Sequence, residues 1–339
     1  DQTLNPIVED IKISLEEAGY KPGTHEYAGE FYSRILNLNI LDPAMGSGHF
    51  LTAVTEYLAD HVQEVTLEAE ISGMMKEEEI RRNIAKECIF GVDLNEMAVE
   101  LAKLSMWLET LASNKPLTFL DHHFKQGNSL LGADLDDIDD LPGSGEGENV
   151  EKGQATLDPF LDTVRDTIDS YLREYAEFAQ MDDDTVEQIS EKKKKYENEV
   201  EGENKRERLE QLANVYLATH FGVQVPDDAY DNLKQALRGE HETPWKEFQQ
   251  KSWFENAQQK ADDRDFFHWK LEFVEAFYTG GQTKSEQGFD AVVGNPPYFN
   301  IETVADEEFN NCLESLYPDI YAGKADIHYF FCGLGHGLL

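Results

Sequence analysis

An apolar run, a small-residue loop and a helical pattern follow one another directly near residue 40, and this order strongly constrains the fold. Leu38-Asn39-Ile40-Leu41-Asp42 predicts a strand, and the glycine-rich loop after it leads into a helix beginning near Phe50. Glycines let backbone N–H groups approach a ligand, and a helix N-terminus favours negative charge. The order indicates an α/β fold with a nucleotide-type cofactor site. Because an acid ends the strand, a ligand that donates through an amino or hydroxyl group fits better than a pyrophosphate.

Three more runs predict further strands of a parallel sheet: Cys88–Asp93, Phe124–Leu130 and Phe289–Gly294. Open α/β sheets bind ligands at the carboxyl ends of such strands. Asp93 is placed there to bind ribose hydroxyls. Asp93 or Asn95 is also predicted to cap the helix that follows, and the two roles are compatible. Asn128 is predicted either to contact the edge of an adenine or to form an Asx turn. The helix after the second strand is predicted from the spacing of Met97, Leu101, Leu104 and Leu108.

The last of these runs ends in the tetrapeptide Asn295-Pro296-Pro297-Tyr298. Proline fixes φ and lacks an N–H, so the backbone is stiff and its carbonyls are free to accept hydrogen bonds. Asn295 adds an amide acceptor, and Tyr298 offers a flat face with a polar tip. The tetrapeptide therefore predicts a pocket floor for a planar guest with an amino group. The alternative is a turn that ends the strand.

The charge balance is extreme, with 29 basic against 68 acidic residues and a net charge of −39. A disordered acidic tail is disfavoured because the acids lie among periodic apolar segments, and a surface that imitates nucleic acid is rare. We expect an enzyme adapted to a very salty cytoplasm, where screening reduces self-repulsion. This acidity does not exclude DNA as a partner, since shape and base contacts then carry more of the binding.

Several classes of protein are disfavoured by composition. No apolar run approaches the roughly 18 residues of a membrane span. The cysteines are odd in number and lack metal or disulfide spacing, which favours a reducing cytoplasm. Asp121-His122-His123 is interpreted as a polar loop rather than a metal site, and His49 and His268 as packing residues.

The chain divides into three predicted parts: 1–131 and 289–339 as two parts of a catalytic domain, and 132–288 as an insertion. The insertion is predicted to begin with a solvated linker over 134–151 and to continue with helices near 157–175, 184–220, 228–238 and 243–277. The basic run at 192–195 is expected to be a solvated helical face. Outside the insertion, residues 2–18 predict a helix and 20–37 a mixed loop.

Together these motifs resemble the amino-group, adenine-specific DNA methyltransferases that use S-adenosylmethionine. The resemblance covers most of 1–130 and 265–339, and includes the large type IIG restriction-modification enzymes and the BREX-type methyltransferases of phage defence. It implies a Rossmann-like fold with a helical insertion, double-stranded DNA as the partner, and association with restriction or defence-system subunits. It is carried by Asp42, Pro43, Ala44, Met45, Gly46, Ser47, Gly48, Asp93, the run 127–130 and Asn295-Pro296-Pro297-Tyr298.

The resemblance also implies a role for each matched residue. Asp42, Pro43, Ala44 and the Gly46-Ser47-Gly48 backbone would hold the methionine moiety. Asp93 would bind the ribose, Leu94 would lie against the adenine ring, and Asn128 with Ser129 would meet the adenine edge. A flipped-out target adenine would stack on Tyr298, and Asn295 and the Pro296 carbonyl would accept hydrogen bonds from its amine.

The chain also departs from the family pattern. A Tyr-Thr-Pro segment usual before the first helix is absent, so we expect it upstream, and the recognition domain and remaining strands downstream. The tetrapeptide also occurs in methyltransferases of release-factor glutamine and ribosomal guanine, whose compact domains leave little room for 132–288. Cytosine-N4 enzymes more often have serine in place of Asn295. A non-catalytic scaffold that keeps the cofactor fold is the rival from another class.

Overall fold

The computed structural model describes residues 3–70, 76–110, 120–138, 141, 181, 185–196, 205–226, 228–239, 243–279, 282–283, 288–301, 306–321 and 325–339, with separate positions between 164 and 177. Of the helix predicted over 157–175, positions 164, 166–168, 170, 172, 173 and 175 are described. They are helical, and Val164, Ile168 and Tyr175 are buried, as expected for an amphipathic helix. Much of the linker predicted over 134–151 lies outside the described residues.

A small parallel sheet organises the described part of the chain. Its order is β3-β2-β1-β6, and a separate antiparallel hairpin is formed by β4 and β5. Ile40 in β1 pairs with Ile89 in β2 and with Ala291 in β6. The four predicted strands are confirmed, although each is shorter than its apolar run. The strands are β1 (Ile40–Asp42), β2 (Ile89–Asp93), β3 (Phe124–Gln126), β4 (Tyr278–Thr279), β5 (Gln282–Thr283) and β6 (Ala291–Val292).

Both faces of this sheet are buried. Ile40 and Ile89 belong to a hydrophobic cluster that includes residues of the helices before β3. Leu41 and Phe90 belong to a second cluster, formed with later helices. Successive side chains of a strand point to opposite faces, so continuous apolar runs suit a sheet that is covered on both sides.

Among the described residues, five helices lie before β3, and one of them replaces a loop that was predicted from the sequence. Residues 20–37 were predicted to be a loop, but α2 covers most of them. Thr24 caps this helix by accepting from the backbone N–H of Tyr27, and Tyr27, Phe31 and Ile35 pack into the core at four-residue spacing. The turn signal at Lys21-Pro22-Gly23 ends where the helix begins. The helices are α1 (Leu4–Glu17), α2 (His25–Leu36), α3 (His49–Glu68), α4 (Glu77–Glu87) and α5 (Glu96–Glu109).

Helix α5 forms where it was predicted, but its large apolar residues do not face the core. The buried face carries Val99, Ala102 and Met106 instead. Helix α5 comes very close to Gly48 at Ala102: a Cβ built on Gly48 would lie only 3.1 Å from the Ala102 Cβ. A small side chain is therefore needed at position 102. The helix therefore packs closely on the loop after β1. The four residues from which it was predicted are exposed: Met97, Leu101, Leu104 and Leu108.

The described part of 132–288 is mainly helical, as predicted, and also contains the β4–β5 hairpin, which was not predicted. Two expectations about its surface are wrong. Leu135 and Ile138 of the predicted linker are buried, and the Ile138 carbonyl accepts from the Tyr230 hydroxyl at 2.6 Å. Lys192, expected in solvent, is buried and donates to the Met181 carbonyl. The helices are α6 (Val186–Lys195), α7 (Lys205–His220), α8 (Ala229–Arg238), α9 (Trp245–Phe248), α10 (Ser252–Arg264), α11 (Trp269–Glu272) and α12 (Val274–Phe277).

Histidines predicted to lie in a polar loop are core residues. His122 and His123 are buried directly before β3, and burial lowers the pKa of both rings. His268 is buried as expected: its Nδ1 accepts from Ala133 N at 3.0 Å, and its Nε2 lies 2.8 Å from Asn214 Oδ1. His49, also interpreted as a packing residue, is exposed. Among the described residues no three potential metal ligands lie together.

In the part of the chain after β6 that the structure describes, there are two helices, α13 (Glu307–Leu316) and α14 (Ile327–Leu338). The backbone around Asn300 forms an antiparallel bridge with Asp326, and Ile327 N donates to the Phe299 carbonyl at 2.9 Å. The segment after the tetrapeptide is thereby fixed to the start of α14. None of the described helices has the length and apolarity that crossing a membrane requires.

Candidate functional site

The loop after β1 is held by backbone hydrogen bonds to the neighbouring strand end. Met45 N donates to the Val92 carbonyl at 3.0 Å, and Gly46 N donates to Asp93 Oδ2 at 2.9 Å. Ala44 N donates to Asp42 Oδ1 at 3.0 Å. The two strand-end carboxylates therefore position the loop that was predicted to bind a cofactor.

Asp42 is buried, and one of its carboxylate oxygens is unsatisfied. Its Oδ2 has no hydrogen-bond partner among the described residues. Burial raises the pKa of Asp42 to about 7, and the charge of Asp93 adds to this, against the opposing hydrogen bond from Ala44. Leaving a buried carboxylate oxygen without a hydrogen-bond donor lowers the stability of the unliganded protein. A ligand with a cationic donor group would satisfy this oxygen and so bind favourably.

The end of β6 lies directly against this carboxylate. A Cβ built on Gly294, the residue before Asn295, would lie 2.5 Å from Asp42 Oδ1. Only glycine permits that approach, so the sequence Gly294-Asn295 brings the tetrapeptide to the ends of β1 and β2.

Asp93 and the residue after it have separate roles. Asp93 Oδ1 accepts from Asn95 N at 2.9 Å, while Asn95 itself caps α5 by accepting from Met97 N at 2.9 Å. The predicted capping role thus belongs to Asn95. Leu94 is 54% exposed, and its apolar surface faces a pocket.

The polar pair after β3 is built into the loop. Asn128 Oδ1 accepts from Leu130 N at 3.3 Å, which confirms the predicted Asx turn. Ser129 is buried, and its hydroxyl donates to the Pro43 carbonyl at 2.6 Å. Ser129 therefore joins the ends of β1 and β3, and Asn128 lines a pocket at this edge of the sheet.

Of the tetrapeptide, Asn295, Pro297 and Tyr298 are exposed and Pro296 is partly buried. The Tyr298 ring lies 5.2 Å from the His328 ring at an angle of 37°. Asp326 accepts from His328 through both the backbone N–H, at 3.2 Å, and ring Nδ1, at 2.9 Å. One face of Tyr298 is supported in this way, and the ring remains 67% exposed.

A cavity of about 630 Å³ lies over these strand ends. The first part of the chain, the insertion and the tetrapeptide all contribute to its wall. Its lining is Ala44, Asp93, Leu94, Asn128, Ser129, Leu130, Asp263, Arg264, Asp265, Asn295, Pro297, Phe299, Asp306, Phe309, Ile327 and Phe331.

A second cavity, of about 330 Å³, lies beside Asp42, Pro43, Gly294 and Pro296. Ala44 and Phe331 line both cavities, so the two are neighbours across the end of β1. Of the predicted cofactor residues, Gly46, Ser47 and Gly48 line neither. They form the turn into α3 that carries Ala44.

Sequence reasoning missed the residues that the insertion and α14 contribute to the larger cavity. Arg264 lies 2.6 Å from Asp306 and 3.4 Å from Glu308, so the insertion is joined to the segment after the tetrapeptide. Burial and the nearby Asp262 raise the pKa of Asp265. The helical pattern of α14 is enough to predict that Phe331 lies on a helix. No local sequence pattern marks Asp263 and Asp265, at the end of α10, as residues of the cavity wall.

Known proteins share much of this chain. The model of the Eco57I restriction-modification methylase family matches residues 87–339. That of the MmeI DNA-methyltransferase domain matches residues 20–130. A protein of Methanocaldococcus jannaschii described as a type II restriction enzyme and methyltransferase is 26% identical over 323 residues, covering 86% of this chain and 24% of that protein. The chain therefore spans about a quarter of the length of this relative.

Proposed function

The chain belongs to the Eco57I restriction-modification methylase family, and from this premise we propose that it is the catalytic part of a DNA methyltransferase acting on adenine N6. One observation carries the proposal. Asn295 and Pro297 line the same cavity as Asp93, Leu94 and Asn128. A group to be methylated and a nucleoside-containing cofactor would thus meet in a single space.

The residues present fit S-adenosylmethionine. The unsatisfied, buried Asp42 Oδ2 suits an ammonium group, and Asp93 is an anionic acceptor for ribose hydroxyls. The exposed side of Leu94 offers an apolar surface to an adenine ring, and the Asn128 amide is placed for its edge. When bound, this cofactor supplies an electrophilic methyl group on a sulfonium.

Asn295 and its neighbours would bind and orient the amine that is methylated. The Asn295 amide oxygen and the Pro296 carbonyl accept hydrogen bonds from the amine, which draws the nitrogen lone pair out of conjugation with the ring. Tyr298 stacks on the flipped base, whose amine is otherwise paired and stacked in the duplex. The contribution of these residues is alignment of an in-line transfer, and no strong base is required.

The partner would be double-stranded DNA, held largely by parts of a longer protein, with restriction or defence-system subunits as further partners. The net charge of −39 supports a cytoplasm with very high salt, in which Coulombic attraction to phosphate is weak. Base contacts and DNA shape would then dominate binding.

Modification-sensitive sequencing of DNA from cells expressing the complete gene tests this proposal. N6-methyladenine at one recurring sequence, absent in cells carrying Asn295→Ala, is the expected result. Modified cytosine would reassign the target base. DNA without modification, together with methylated protein or ribosomal RNA, would overturn the proposal.

A further inference from the structure

The insertion adds a fifth position to the row of polar strand ends. Asn128 forms an isolated parallel bridge with Phe266, and Asn128 N donates to the Asp265 carbonyl at 2.7 Å. The chain at 265–267 therefore continues the sheet beyond β3 by one short step. Successive positions along this edge carry Asn295, Asp42, Asp93, Asn128 and Asp265.

The backbone of Asp265 turns its side chain toward the cavity. Asp265 ends α10 in the left-handed region, with φ +52°, a conformation uncommon for residues other than glycine. Its Oδ1 is 3.4 Å from Gln126 Nε2 and its side chain lines the larger cavity next to Asn128 and Leu94. The second carboxylate oxygen has no hydrogen-bond partner among the described residues.

Asn128 and Asp265 differ in the hydrogen-bonding groups that they can offer to a ligand in the cavity. The Asn128 amide oxygen already accepts from Leu130 N at 3.3 Å, while no hydrogen bond of its N–H₂ group is seen among the described residues. A 6-aminopurine presents both an acceptor, the ring nitrogen N1, and a donor, the exocyclic amine. Asn128 can supply the donor for N1, and the carboxylate of Asp265 is the stronger, charged acceptor for the amine.

We propose that Asp265 is the acceptor that selects the adenine of the cofactor, by accepting a hydrogen bond from its exocyclic amine. This assignment rests on the proposed use of S-adenosylmethionine. It gives the insertion a role in the site, since a residue of the insertion completes recognition of the nucleobase. A 6-oxopurine would place a carbonyl oxygen against this carboxylate and would be rejected.

Calorimetric binding to the full-length protein tests the assignment, with S-adenosylhomocysteine and S-inosylhomocysteine as the two probes. They differ at the purine 6-position, which carries an amine in the first and a carbonyl in the second. We expect the wild-type protein to prefer the adenosyl compound by about tenfold or more, the range expected for one charge-assisted hydrogen bond. Asp265→Asn should lower the ratio of the two affinities, because an amide can pair with either group at the 6-position. The preference that remains comes from N1, which accepts from Asn128 in the adenosyl compound and carries a hydrogen in the inosyl compound.

Asp263→Asn is the matched control, since Asp263 lines the same cavity on the same helix, and it should keep the wild-type ratio. A wild-type ratio retained in Asp265→Asn would overturn the assignment while leaving the proposed function intact. Failure of the wild-type protein to bind either compound would overturn the proposed function, and the assignment with it.

Discussion

The ring of Tyr298 lies 5.2 Å from the ring of His328, tilted by 37°. His328 is itself fixed, because Asp326 accepts from its ring and from its backbone N–H. The ring of His328 also lies 4.0 Å from the ring of Tyr329. The tyrosine of the tetrapeptide is thus supported on one face before any base arrives.

We therefore predict that His328→Ala lowers kcat/KM for DNA in the full-length protein by about three- to tenfold. The supporting ring orders Tyr298, whose stacking on a base is worth about 1–3 kcal/mol. His328→Phe should restore most of the rate because it keeps a ring at this position. Affinity for S-adenosylhomocysteine should stay unchanged in both variants. Equal impairment of His328→Phe and His328→Ala would show that the ring contact is not what matters.

Asp42→Asn should stabilise the protein at neutral pH and weaken its affinity for the cofactor. Since the folded-state pKa is raised to about 7, the folded protein holds this proton more tightly than the unfolded chain does. Ionisation of Asp42 therefore lowers stability as pH rises from about 4 to 7, by up to roughly 4 kcal/mol.

Denaturant unfolding at several pH values measures this effect. The stability gained by Asp42→Asn should be largest at pH 8, smaller at pH 5 and absent near pH 4. A gain that does not change with pH would contradict the assignment, as would unaltered cofactor affinity. Asp60→Asn, on the exposed side of α3, is the control.

Glu272→Gln should destabilise the fold, because Glu272 joins the insertion to the sheet. Lys125 of β3 lies 2.7 Å from one carboxylate oxygen of Glu272, and Arg206 lies 2.9 Å from the other. Burial alone would raise the pKa of Glu272, but the two cations lower it to about 2. Removing one charge from such a buried group costs about 3–5 kcal/mol.

The contribution of Glu272 should be complete above pH 4.5, its ordinary pKa, and should be lost as pH falls toward 2. Denaturant midpoints for Glu272→Gln and for the exposed Glu255→Gln check this. Equal midpoints for the two variants would mean that the buried network does not hold the insertion in place.

High salt should stabilise this protein. With a net charge of −39, self-repulsion is large at low ionic strength, and screening shortens its range from roughly 10 Å at 0.1 M to 3 Å at 1 M salt. We expect the thermal midpoint to rise steadily between 0.1 M and about 3 M KCl. A midpoint that is flat or falls over this range would remove the argument for a salty cytoplasm.

The ends of the strands were predictable from the sequence because the signal there is local. Each apolar run stops at a polar residue, and parallel pairing then brings Asp42, Asp93 and Asn295 to one edge. Asp265 was not predictable, since its contact with Asn128 joins residues far apart in the chain and no periodicity marks it. Helix α5 shows a further limit, because close packing against Gly48 selected the small Ala102, rather than the larger leucines, for the buried face.

The central claim is that Asn295 acts on the amine of the target base while Asp42 and Asp93 hold the cofactor. It is tested most directly by comparing Asn295→Ala with Asn256→Ala, an exposed asparagine on α10, in the full-length protein. We predict that Asn295→Ala loses transfer of labelled methyl groups to DNA by at least about 100-fold, the range seen when one positioned hydrogen-bonding group is removed from an active site. Its affinity for S-adenosylhomocysteine should remain that of the wild-type protein and of Asn256→Ala. Parallel loss of methyl transfer and cofactor affinity, or undiminished transfer, would contradict the account.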